Sequence, residues 1–186
     1  IPACQDTFNA YLVTSAGISP PVKSVFNSDS SLRRFVAMSS FSPDGMKYVT
    51  TSFTNMIKTR RFIEIFDFNL SSGKLSNPIK LFNQSDVNIF NTEGAVFSPD
   101  NTKLYINRPE LVQFDLSQMQ VYNTIDTLFS NFLGRLNLAR NGKIYASAPS
   151  QNYISVIDAP NEAGSSANFI EIGPSLFPNV AGLGYM

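Results

Sequence analysis

Histidine is absent from this 186-residue chain, so any chemistry must rest on carboxylates, arginines, lysines, hydroxyls and a single thiol. That absence removes the commonest general base and metal ligand near neutral pH. A nucleophilic serine would have no imidazole to activate it, and neither a Gly-x-Ser-x-Gly elbow nor a glycine-rich phosphate loop is present. The carboxylates Glu64, Glu93, Glu110, Glu162 and Glu171 fall in different elements, with no spacing that forces them together. Asp67, Asp115 and Asp158 each end an apolar segment. They suit either capping of the following turn or calcium ligation. Calcium wants several oxygens from one loop, and no Asp-x-Asp-x-Asp run exists, so capping is the expectation. Three short stretches remain: Arg33-Arg34, Glu93 and Arg135, each just before an apolar strand. Convergent guanidinium groups there could clamp a carboxylate or phosphate; the competing reading is solvated surface charge. Lys58-Thr59-Arg60-Arg61 reads as a solvated hairpin loop. The lone Cys4 cannot form an internal disulfide and reads as an incidental thiol.

The elements that would carry these residues repeat. Phe41-Ser42-Pro43-Asp44-Gly45-Met46-Lys47-Tyr48 is echoed by Phe97-Ser98-Pro99-Asp100-Asn101-Thr102-Lys103-Leu104-Tyr105 and by Leu138-Ala139-Arg140-Asn141-Gly142-Lys143-Ile144-Tyr145. Each is followed by a strand ending in aspartate: Ile65-Phe66-Asp67, Gln113-Phe114-Asp115, Val156-Ile157-Asp158. A repeat of roughly 40 to 55 residues built of short strands marks a β-propeller blade. In each unit an inner strand leads into the turn (Val36 to Pro43, Gly94 to Pro99, Arg135 to Arg140) and a second leaves it (Met46 to Phe53, Lys103 to Arg108, Lys143 to Ser147). A third ends in aspartate (Phe62 to Asp67, Leu111 to Asp115, Tyr153 to Asp158). An outer strand is expected at Ile79 to Phe82, Gln120 to Thr127 and Asn168 to Ile172. Asp-Gly and Asn-Gly suit the turns because they tolerate positive φ, so Asp44 and Asp100 are expected to be structural.

The predicted fold is therefore all-β, a propeller of about three and a half four-stranded antiparallel blades within a larger, seven-bladed ring. Residues 1–34 would end one blade, 35–92, 93–133 and 134–179 would form three, and 180–186 would begin another. Phe8 to Thr14 reads as a third strand and Val22 to Phe26 as its outer partner. In this layout Arg34, Glu93 and Arg135 precede inner strands and face the mouth of the central channel.

Composition narrows the function classes. The 14 basic residues balance 14 acidic ones, whereas a nucleic-acid footprint needs a basic excess. The chain has no run of about 18 apolar residues, hence no predicted membrane span. Its 43% hydrophobic content supports a core, and abundant asparagine and serine lean toward an extracellular or periplasmic β-protein.

The residues also resemble a known group. Ile63-Glu64-Ile65-Phe66-Asp67-Phe68, Ser72-Gly73-Lys74-Leu75-Ser76-Asn77-Pro78-Ile79, Glu93-Gly94-Ala95-Val96-Phe97-Ser98-Pro99-Asp100, Gln113-Phe114-Asp115-Leu116 and Pro160-Asn161-Glu162-Ala163-Gly164 carry the likeness. The chain resembles the β-propeller region of large surface and secreted Bacteroidetes proteins, which often end in gliding-motility-associated or type IX secretion sorting domains. Gly182-Leu183-Gly184-Tyr185 departs from the family's usual close. The resemblance implies blade order and a surface, secreted or periplasmic location.

The expected function is a non-enzymatic binding or scaffold module, without cofactor or metal, that presents loops to a protein or glycan partner. Its ring would be completed by further propeller residues or another chain. The rivals are a lactonase-like or other hydrolytic propeller and a structural subunit of a secretion or motility machine.

Overall fold

The computed structural model describes residues 7–26, 35–53, 61–81, 94–107, 110–118, 125–131 and 133–179. Cys4, Arg34, Glu93 and residues 54–60 and 180–186 lie outside these. Among the described residues, sixteen short strands and one 3-10 turn, Gly164–Ala167, make up the regular structure. The fold is a β-propeller assembly. Its first full blade is β5 (Phe35–Phe41), β6 (Lys47–Phe53), β7 (Arg61–Asn69) and β8 (Lys74–Lys80). The second is β9 (Gly94–Phe97), β10 (Lys103–Asn107), β11 (Leu111–Asp115) and β12 (Ile125–Phe129). The third is β13 (Leu136–Leu138), β14 (Ile144–Ser147), β15 (Ile154–Ile157) and β16 (Phe169–Ile170). Each is an antiparallel four-stranded meander in chain order. Ahead of them, β1 (Thr7–Ala10) pairs with β4 (Val22–Val25). The pair forms a two-stranded sheet of its own beside the first blade. Between them, β2 (Val13–Thr14) and β3 (Gly17–Ile18) form a separate small hairpin, where the sequence pattern suggested one continuous strand.

Blades stack because successive side chains on a strand point to opposite faces. In the middle blade, Phe97, Leu104, Ile106, Val112 and Phe114 join Val49, Ile63 and Ile65 of the first blade in one buried cluster. The alternate residues Val96, Tyr105 and Leu111 join Leu136, Ile144 and Ile157 of the third blade in another. Burial on both faces explains why these strands read as nearly continuous apolar runs. On its other face the first blade buries Phe66, whose ring lies 5.3 Å from Phe8 and 4.7 Å from Phe26.

The Ser-Pro-Asp turns are structural. Ser42 Oγ donates to Asp44 Oδ1 at 2.6 Å and accepts from the Lys47 amide at 2.8 Å. Ser98, Asp100 and Lys103 repeat this geometry at 2.6 and 2.8 Å. Gly45 (φ 73°), Asn101 (φ 66°) and Gly142 (φ 79°) take the left-handed position, which glycine and asparagine tolerate best. Lysines on the second strands pair with the strand-ending aspartates. Lys47 Nζ lies 3.0 Å from Asp67, Lys103 Nζ lies 3.5 Å from Asp115, and Lys143 pairs with Asp158.

These contacts set the acid response. The Ser42 hydroxyl holds the Asp44 carboxyl below its ordinary value, and the Asn77 amide does the same for Asp67. Lys143 lowers Asp158. For Asp100 and Asp115 burial pushes upward, but bonds from Ser98 and Thr102, and from Ser117, outweigh it. A carboxyl depressed in the folded state adds stability above its unfolded value, near 3.9, and loses it as pH falls through the folded value. The melting temperature should therefore hold steady from neutrality to about pH 5 and fall progressively below pH 4. A melting temperature independent of pH between about 5 and 2 would show that these carboxylates contribute nothing.

Candidate functional site

The inner strands β5, β9 and β13 lie side by side and line a groove of about 520 Å³. Their approach is close enough to exclude a side chain at Gly94, where a Cβ would sit 2.7 Å from the Leu136 amide nitrogen. Strand β9 is buried throughout. Ser39, Phe41, Pro43, Arg135 and Asn137 are thus the exposed residues of the groove wall. The Phe41 ring is set by a tilted contact with Tyr48 at 4.9 Å and an edge contact with Phe68 at 5.2 Å, and about half of its surface remains open.

Arg135 stands at the end where the inner strands begin. Its side chain is exposed, with Nη2 3.7 Å from Met38 Sδ across the groove. Its backbone is held firmly. Asn107, fully buried at the end of β10, donates through Nδ2 to the carbonyls of Leu133 and Gly134. The Gly134 amide donates to Ser147 O at 2.8 Å, and the Ser147 amide donates to Arg135 O at 3.1 Å. A clamped backbone with an exposed guanidinium suits recognition of an external anion.

Of the three residues expected at the channel mouth, Arg135 is exposed on the groove wall just before β13, while Arg34 and Glu93 lie outside the described residues. The carboxylates are dispersed. Glu64 is buried on β7, Glu110 is half-buried before β11, and Glu162 and Glu171 are exposed on the third blade. Among the described residues, no three acidic or cysteine side chains gather as a metal site. Asn107 was not singled out in the sequence. Its signal, an asparagine closing an otherwise apolar strand, is weak without knowing that it is buried. The same holds for Gln113, whose Nε2 reaches Tyr105 Oη at 2.6 Å and Glu162 O at 2.7 Å, and whose Oε1 accepts from the Gly164 amide at 2.8 Å. Burial raises the Tyr105 phenol to about 12, so its hydroxyl stays protonated and donates to Pro160 O at 2.8 Å.

No family model matches the chain, and no curated protein matches it in sequence. Solved structures do match in fold. Regucalcin from Agrobacterium tumefaciens, described as a calcium-binding protein, shares 16% identity over 87% of this chain and 53% of its own, with a TM-score of 0.54. A puromycin-hydrolyzing peptidase from Mycobacterium tuberculosis shares 12% over 91% of this chain and 32% of its own, with a TM-score of 0.53. A puromycin hydrolase shares 15% over 83% and 23%, with a TM-score of 0.52. The chain spans about half or less of each of these proteins. At such identities the likeness establishes a propeller fold and nothing about activity.

Proposed function

We propose that this chain is a non-enzymatic binding module of a cell-surface, secreted or periplasmic protein. It presents the mouth of the inner-strand groove to a protein or glycan partner. The supporting observation is Arg135, exposed on a clamped backbone beside a groove that also offers a phenylalanine face, a serine hydroxyl and an asparagine amide. A guanidinium anchors a carboxylate or sulfate, while the aromatic face and amides suit a sugar or peptide. The location follows the resemblance to surface and secreted Bacteroidetes proteins. No described helix is long and apolar enough to cross a membrane. The hydrolytic and structural-subunit readings remain the rivals.

Arg135→Ala is expected to leave the melting temperature unchanged, because the guanidinium is exposed, and to weaken partner binding by roughly tenfold or more. Thermal unfolding and binding isotherms on the same preparations check both halves. A large drop in melting temperature would make Arg135 structural. Turnover of a lactone by the wild-type chain, with or without added calcium, would favour the hydrolytic rival.

A further inference from the structure

Between β1 and β4 the chain forms an exposed apolar hairpin. Every residue from Tyr11 to Ile18 is exposed. Leu12 is 66% exposed, Val13 70% and Ile18 71%. Val13 and Ile18 are directly opposed across the hairpin, so they share one face. The apolar surface continues onto the neighbouring blade. A Cβ at Gly73 would meet Ala10 Cβ at 3.5 Å and Val22 Cβ at 3.7 Å, at the hairpin's base. Gly73 lies in the same turn as exposed Leu70, and a Cβ at Gly45, beside exposed Met46, would lie 3.3 Å from Leu70 Cδ2. Tyr11, Leu12, Val13, Ile18, Leu70 and Met46 thus form one ridge along the turn end of the blades. Arg135 lies at the opposite end, where the inner strands start.

We propose that this ridge docks on a lipid bilayer at the interface between headgroups and acyl chains. Three observations favour lipid over a protein face. First, no carboxylate occurs between Asp6 and Asp29, so the hairpin itself carries no charge that opposes an anionic surface, although Asp44 is exposed in the Met46 turn at the far end of the ridge. Second, exposed Lys23 and Lys74 flank its base on strands joined by the Leu75 amide to Ser24 Oγ, 2.9 Å, where they can attract anionic headgroups. Third, the hairpin meets much of its backbone hydrogen bonding internally, as an apolar medium requires. Ser19 donates to Leu12 O at 2.9 Å, the Leu12 amide to Ser19 Oγ at 3.0 Å, and the Ala16 amide to Thr14 Oγ1 at 3.2 Å. A tyrosine at the base and hydroxyls near the tip fit shallow interfacial seating rather than a span. Docking here leaves the groove mouth facing away from the membrane.

The chain contains no tryptophan, so Val13→Trp installs a single fluorescent reporter at the ridge. It is titrated with vesicles of phosphatidylcholine alone and with about a quarter phosphatidylglycerol. The expected result is a blue shift with both, at lower lipid with the anionic vesicles. Wild-type protein should co-sediment with the vesicles, and the triple substitution Leu12→Ser, Val13→Ser, Ile18→Ser should weaken this by roughly tenfold or more with an unchanged melting temperature. Absence of a shift with both vesicles overturns the proposal. So does equal sedimentation of the serine variant. A shift that follows protein concentration without lipid would assign the ridge to a second copy of the chain instead. Should the serine variant fail to fold, the tryptophan reporter decides alone.

Discussion

Phe114→Ala is expected to lower the unfolding free energy by roughly 3–5 kcal/mol. The ring is fully buried on the third strand of the middle blade. It shares a cluster with Val49, Ile63, Ile65 and Leu81 of the preceding blade. Its removal takes a large apolar group from the seam between two sheets. Val49, Ile63, Ile65 and Leu81, which line the gap, are themselves buried and packed, so they have little freedom to close over it and the cost should sit near the upper part of the range. Urea denaturation checks it, with the slope expected to stay constant if the unfolded state is unaltered. A loss under about 1 kcal/mol would show that the seam is not a packed core.

Gln113→Ala is expected to cost roughly 2–3 kcal/mol by a different route. Gln113 is buried in the same strand but faces the third blade. It ties Tyr105 to the 160–164 loop through both ends of its amide. Truncation leaves the Gly164 amide and the Glu162 carbonyl without that partner, and unmade buried hydrogen bonds cost more than made ones gain. Hydrogen exchange separates this from simple loss of packing. The Gly164 amide should exchange markedly faster in the variant, while the amides of β6 and β7, two blades away, keep their protection. Uniformly faster exchange would mean that the loop and the blades open as one unit.

Much of this fold was legible in the residues. The Ser-Pro-Asp turn is readable because its side chains do the same work each time. Serine bonds the aspartate and the returning strand, and a glycine or asparagine takes the left-handed position. The third copy survives without the serine because Asn141 Oδ1 accepts from the Lys143 amide at 3.2 Å. The lysine that follows each turn was equally visible in sequence. Its role became clear once strand register placed it opposite Asp67, Asp115 or Asp158.

Other features were not legible. The outer strand of the first blade was expected at Ile79 to Phe82 and instead runs Lys74–Lys80. It is an exposed edge strand with Pro78 inside it, so it carries little apolar signal. A register shift between Ile65 and Asp67, with Asn77 at φ 49°, lets it pair. The hairpin at Val13 to Ile18 was hidden because an exposed apolar strand reads like a buried one. At the site, an arginine before an inner strand marked Arg135. The clamp from Asn107 and Ser147 was invisible, since it depends on which distant residues fold against the 133–135 backbone.

The most direct test of the account measures binding of wild-type and Arg135→Ala protein to an array of neutral and acidic glycans and peptides. The account predicts that wild type retains probes bearing a carboxylate or sulfate. The variant should lose them by roughly tenfold or more while melting at the same temperature. Equal binding by the two proteins, or wild-type retention of neutral probes alone, would contradict it.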